Sequence, residues 1–119
     1  MRILQQAFRV YAETEQFDAV IQFYEGLQGV VCERRLIIAE NGMSVAKVGR
    51  FLILAGTSAQ IDAVRHVGAI FYLDKLDEFA VWLDRHKIEI IHKPRAVTGG
   101  RNLTARHPDG LVVEYFEAG

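Results

Sequence analysis

Apolar and polar positions along the chain change period several times, and each change marks an element. From about Ile3 to Tyr11 they alternate in the β manner, with Phe8 and Val10 on one face and Ala7 and Arg9 on the other. Thr14 then offers a helix N-cap, with Glu15 and Asp18 in the positive field of a first turn. Phe17, Val20, Ile21, Tyr24 and Leu27 fall at helical spacing as one apolar stripe. Gly29 is a natural stop, because glycine tolerates the left-handed C-terminal position. Val30, Val31 and Leu36-Ile37-Ile38 read as strand, and Asn41-Gly42 as a tight turn. Val45, Lys47 and the run Phe51-Leu52-Ile53-Leu54 carry the chain back as two more strands, which completes β-α-β-β-β.

Gly56 to Asp62, rich in small residues, reads as a linker, and then the order repeats. Val67 to Leu73 is a β-branched and aromatic run. Asp74 is the expected N-cap of a second helix, with Asp77 three residues on as a capping-box acid. Leu76, Phe79, Ala80 and Leu83 form its apolar stripe. Ile88-Glu89-Ile90-Ile91 is a strand, Gly99-Gly100 a turn, and Asn102 to Ala105 a strand. Pro108-Asp109-Gly110 turns the chain into a last strand, Leu111 to Phe116. The order of elements therefore predicts an internal duplication within a single domain, with units of about 1–57 and 66–119.

Composition narrows the function classes. The 119 residues are 50% hydrophobic and 24% charged, which fits one globular domain. A net charge of -1, with no basic run beyond Arg34-Arg35, argues against nucleic acid and against an anionic membrane surface. No apolar run approaches the ~18 residues of a membrane span, and the N-terminus lacks the apolar core of a secretory leader. The lone Cys32 excludes an intramolecular disulfide, fits a cytoplasmic setting, and is expected to be a buried, inert thiol. No phosphate loop, His-x-x-x-His, Cys-x-x-Cys or Gly-x-Ser-x-Gly pattern occurs, so nucleophilic catalysis has no support.

Three stretches carry a family likeness. Phe8-Arg9-Val10 followed by Ile21-Gln22-Phe23-Tyr24-Glu25-Gly26-Leu27-Gln28-Gly29 is one, and Phe71-Tyr72-Leu73-Asp74-Lys75-Leu76-Asp77 is the second. The third is Gly100-Arg101-Asn102-Leu103-Thr104 through Arg106-His107-Pro108-Asp109-Gly110-Leu111-Val112-Val113-Glu114-Tyr115, where a Pro-Asp-Gly turn enters an apolar-apolar-Glu strand. Together they resemble the vicinal oxygen chelate superfamily of glyoxalases, bleomycin-resistance proteins and extradiol dioxygenases. The resemblance implies an α+β fold in which two βαβββ units form curved mixed sheets around a shared cleft, with the helices outside. It also implies a homodimer. The fold does not fix the chemistry, since it hosts isomerases, lyases, dioxygenases and drug-binding proteins alike.

Active members of that family hold a divalent metal with His, Gln and Glu side chains from the first and last strand of each unit. Alternation turns Gln5, Ala7 and Arg9 inward in the first strand, and Val112, Glu114 and Phe116 inward in the last. The family's ligand positions then fall on Gln5, on Ile53 or Leu54, on Gly68 with His66 two residues earlier, and on Glu114. That set is poor for a hard cation. The expected reading is a metal-free protein that binds a small apolar or aromatic organic molecule, with Arg9 and Glu114 as orienting charges, Tyr72 and Phe116 as stacking surfaces, and Asn102 and Val112 beside them. One alternative is a metal-dependent lyase, isomerase or dioxygenase using Glu114 with Gln5 and His66. Another is a metal-free enzyme with Glu114 as general base. His86 at a helix end is expected to be structural, and His92 and His107 to be strand-end histidines without partners. Trp82, off the main helical stripe, is expected to cover the helix face or a dimer contact.

Overall fold

The computed structural model describes residues 1–119, which divide into two compact units. The first comprises Ala7–His66 and the second Met1–Gln6 with Val67–Gly119. Strand β1 (Ile3–Glu13) is followed by a turn of 3-10 helix (Thr14–Gln16), α1 (Phe17–Gln28), β2 (Arg34–Ile37), β3 (Ser44–Val48), β4 (Phe51–Gly56) and α2 (Ser58–Val64). The chain continues through β5 (Ala69–Leu73), α3 (Leu76–Arg85), β6 (Glu89–Val97), β7 (Gly100–Arg106) and β8 (Val112–Ala118).

The two halves share one connectivity. In the first, the strands lie in the order β2-β3-β4-β1 with β1 parallel to β4. In the second, they lie in the order β5-β8-β7-β6 with β5 parallel to β8. Each half therefore pairs its first strand with its fourth and reaches the others through antiparallel neighbours. This is the duplicated βαβββ α+β fold that the turn signals predicted.

In the first unit, α1 buries Ile21 against Ala12, Ala46, Val48 and Ile53, with Val10, Val20 and Tyr24 at the margin. Phe8 is 61% exposed; it stacks on Phe51, which stacks in turn on Tyr24. Gly29, at φ 67°, ends α1 as expected. Thr14 does not cap it, because one 3-10 turn intervenes and α1 begins at Phe17 without a side-chain cap. Val30 and Val31 lie outside any strand, and β2 starts only at Arg34. Cys32 is half-buried at the edge of the α1 cluster rather than fully buried.

The larger correction concerns Gly56 to Asp62. This segment is not a linker but runs into helix α2, closed by a capping box. The Gln60 N–H donates to Thr57 Oγ1 at 3.2 Å, and the Thr57 N–H donates to Gln60 Oε1 at 2.8 Å. The helix buries Ile61 against Met43, Val45 and Leu54, with Tyr11, Leu52 and Val64 beside them. Those strand residues alternate with the ones facing α1, so α2 covers the other face of the first unit's sheet.

In the second unit, α3 packs Leu76, Phe79 and Leu83 on Leu73, Leu103, Ala105, Val113 and Tyr115. Burying each such side chain contributes roughly 1.5–3 kcal/mol. Asp74 is not the cap of α3. Its carboxylate accepts the Arg2 N–H at 2.7 Å, which with the neighbouring charge holds it below its ordinary acidity range. The first-turn N–H of Leu76 is instead taken by Glu117. Asp77 does not serve as a capping-box acid; it pairs with the Arg101 guanidinium at 3.0 Å. Leu111 precedes β8 and is exposed, not packed on α3.

Candidate functional site

Because Val113 and Tyr115 turn into the α3 cluster, Val112, Glu114 and Phe116 take the opposite face of β8, as alternation predicted. Strand register extends that face sideways in rows. Tyr72 lies opposite Phe116, Phe116 opposite Asn102, and Asn102 opposite Arg95. In the next row Ile70 lies opposite Glu114, Glu114 opposite Thr104, and Thr104 opposite His92. Five of the six residues expected to bind a ligand, Tyr72, Asn102, Val112, Glu114 and Phe116, thus share one face of the second unit.

Tyr72 and Phe116 meet edge to face, with centroids 6.0 Å apart and planes at 81°. Ile70 and Val112 beside them are buried. Diagonally across β7 and β8, Asn102 Nδ2 donates to Glu114 Oε2 at 2.9 Å. Asn102 is only 9% exposed, and its Oδ1 is buried without a hydrogen-bond partner. In the same row, Thr104 Oγ1 and His92 Nε2 are 2.7 Å apart. His92 Nδ1 lies 3.0 Å from the Lys93 carbonyl, which can only accept. Nδ1 therefore donates to that carbonyl, and Thr104 Oγ1 holds Nε2 on the other side of the ring. His92 has a partner after all, one that its position in the sequence did not suggest.

Arg9 belongs to the first unit, where its guanidinium lies 5.5 Å from the Tyr11 ring centroid. Gln5 is half-buried in the second unit, and His66 is exposed just past α2 in the first. Leu54 is buried under α2. No group of three or more His, Cys, Asp or Glu side chains is placed so that it could hold a metal ion. Of the family's positions, Glu114 alone offers an acid, and Oε2 of that acid already accepts from Asn102. The donor set does not fit a divalent cation.

His107 also gains a partner, on the α3 side. Its Nε2 lies 2.6 Å from the Tyr115 hydroxyl, and burial pushes the Tyr115 pKa up to about 12. A concavity of about 370 Å³ adjoins that pair, walled by Phe79, Trp82, Leu83 and Ile88. The His107 and Tyr115 side chains in it satisfy each other, and the Met1 ammonium at its wall is paired with Asp74 and Glu78. His86 is structural as expected: its Nδ1 donates to the Trp82 carbonyl at 2.8 Å, and its ring stacks on Trp82 at the end of α3.

No protein-family model matches the chain, and no curated protein matches it. Solved structures do. An uncharacterised protein from Methanosarcina mazei is 37% identical with a TM-score of 0.87, covering 100% of this chain and 95% of that one. Methylmalonyl-CoA epimerase from Mycobacterium tuberculosis is 16% identical with a TM-score of 0.64, covering 98% of this chain and 87% of its own. A Streptomyces coelicolor methylmalonyl-CoA epimerase variant in complex with 2-nitronate-propionyl-CoA is 18% identical with a TM-score of 0.69, covering 100% and 95%. At those identities the epimerases share this chain's fold.

Proposed function

We propose that this chain, which belongs to one family with the Methanosarcina mazei protein and has the fold of the vicinal oxygen chelate superfamily, binds a small apolar or aromatic organic molecule on the second unit's face opposite α3, without a metal. One observation carries the reading. The Tyr72–Phe116 pair adjoins the half-buried Asn102–Glu114 hydrogen bond on a face otherwise lined by Ile70 and Val112. An apolar wall with few, fixed polar groups is the usual make-up of a small-molecule site, because area supplies affinity and the polar groups supply orientation. Aromatic edges add contact at little cost in side-chain entropy. A single carboxylate among the family's ligand positions supports a role in orientation rather than in coordination.

The test is a ¹⁵N- and ¹³C-resolved NMR titration with small amphipathic aromatic probes before and after chelator treatment. Saturable shifts at Tyr72, Val112 and Phe116 that survive chelation and vanish in Phe116→Ala are expected. Shifts that require an added divalent cation would overturn the metal-free reading. We also propose a homodimer, which the exposed Phe23 and Leu27 on α1 support and sedimentation equilibrium would check. A reducing, cytoplasmic setting is consistent with the unpaired Cys32.

A further inference from the structure

We infer that the second unit binds a small uncharged hydrophobic molecule of one or two rings in the hollow beside α3, a site separate from the face of Tyr72 and Phe116. The hollow measures about 370 Å³, within the range of ligand pockets in general. All of its walls belong to the second unit: the start of β1, α3, and the turn at Pro108. Phe79, Leu83 and Tyr115 are buried, whereas Ile3 and Trp82 are 40% and 43% exposed, so buried apolar surface continues outward to an accessible apolar mouth. Tyr115 and Phe116 are neighbours in β8 and face opposite sides of the sheet, which puts the two sites back to back.

The chemistry of the walls selects the occupant. His107 and Tyr115 hold each other at 2.6 Å, and the Met1 ammonium is paired with Glu78 at 3.0 Å. Water in the hollow therefore finds few polar partners, although an ordered water needs several. Water held so poorly is displaced at a gain by an apolar group. A charged ligand would surrender its hydration, and the Met1 ammonium beside it is already engaged by carboxylates. An apolar void of roughly 150 Å³ accepts one benzene, so the volume here suits one or two rings. The mouth is also held in place. The His86 ring stacks on Trp82 with centroids 3.9 Å apart, and His86 Nδ1 lies 2.8 Å from the Trp82 carbonyl. The indole is thus positioned before any ligand arrives, which spares the cost of ordering it on binding.

The experiment titrates toluene, benzylamine and benzoate, similar in size and different in charge, into the intact protein. Methyl NMR follows the aliphatic walls, and the indole signal of the single tryptophan follows the mouth. Toluene should shift Ile3, Leu83 and Ile88 saturably, and the two charged probes should bind at least about tenfold more weakly. Ile3→Trp, which fills the mouth from an exposed position, should abolish these shifts. Trp82→Ala removes a wall from the helix surface without touching β1 and should weaken toluene about fivefold. No saturable shift at Ile3, Leu83 and Ile88, or an equal response to all three probes, would overturn the inference. Toluene shifts confined to Tyr72, Val112 and Phe116 would overturn it as well, while leaving the proposed ligand-binding face standing. Shifts of Ile3 and Trp82 on raising the protein concentration without toluene would give the hollow to a second copy of the chain and overturn it too.

Discussion

Glu117 Oε1 accepts the backbone N–H of Leu76 at 2.6 Å, so the start of α3 is capped from the end of β8, 41 residues away. Lys75 at the N-cap position supplies no side-chain acceptor, and the carboxylate also opposes the positive end of the helix. Glu117→Ala should therefore destabilise the protein by about 1 kcal/mol, within the 0.5–2 kcal/mol known for lost caps. A lower urea midpoint at unchanged slope would show it. Glu117→Gln keeps an acceptor and should lose less. Equal stability of Glu117→Ala and the parent would mean that water serves Leu76 as well.

That bond also shows what the sequence hides. Gly29, Gly42 and Gly110 announce their turns because each adopts a positive φ that other residues resist, and alternation in β8 places Glu114 and Phe116 because period two leaves no other choice. These signals are local. The partner of Leu76 is not, nor is that of Thr104, whose pairing with His92 depends on register shifts within β6. The missed helix α2 is a different failure. Thr57-Ser58-Ala59-Gln60 carries the capping-box spacing in plain view, and the abundance of small residues outweighed it. Val30 and Val31 erred in the opposite direction: apolar and β-branched, they read as strand, yet no neighbouring strand pairs with them.

Helix α2 is expected to hold the first unit together. Ile61, 3% exposed, is its one fully buried side chain and meets Met43, Val45 and Leu54. Ile61→Ala should cost roughly 2–5 kcal/mol, since it removes buried surface and leaves a cavity. Thr57→Ala, which breaks only the box, should cost about 1 kcal/mol. Urea unfolding of both variants checks the order, and a smaller loss for Ile61→Ala than for Thr57→Ala would contradict the packing role.

Stability should fall on the alkaline side because of Tyr115. Burial raises its pKa from 10.0 to about 12, so the folded protein holds the phenolic proton more tightly than the unfolded chain does. Between those values the unfolded state binds fewer protons, and stability declines as pH rises. Below pH 10.0 the contribution is complete. Tyr115→Phe should flatten this limb of a urea-midpoint-against-pH curve. An unchanged alkaline limb in that variant would assign the decline to other groups.

Asn102 and Leu103 are adjacent in β7 and both buried, yet substitutions there should separate binding from stability. Leu103 is 0% exposed in the α3 cluster, so Leu103→Ala should cost roughly 2–5 kcal/mol. If the variant still folds, it should keep the saturable shifts of Tyr72 and Phe116 with an aromatic probe. Asn102→Leu acts on the opposite face. It forfeits a hydrogen bond to a carboxylate, about 1.5–3 kcal/mol, and it removes a buried carbonyl oxygen without a donor, about 1–3 kcal/mol in the other direction. The two nearly cancel, so its unfolding free energy should stay within about 1 kcal/mol of the parent, while the shifts that an aromatic probe produces at Tyr72 and Phe116 weaken. A polar residue that can be replaced by a hydrocarbon without loss of stability contributes little to folding, and the remaining reason for its place is what it binds. Large destabilisation by Asn102→Leu would instead make the Asn102–Glu114 bond a structural strut.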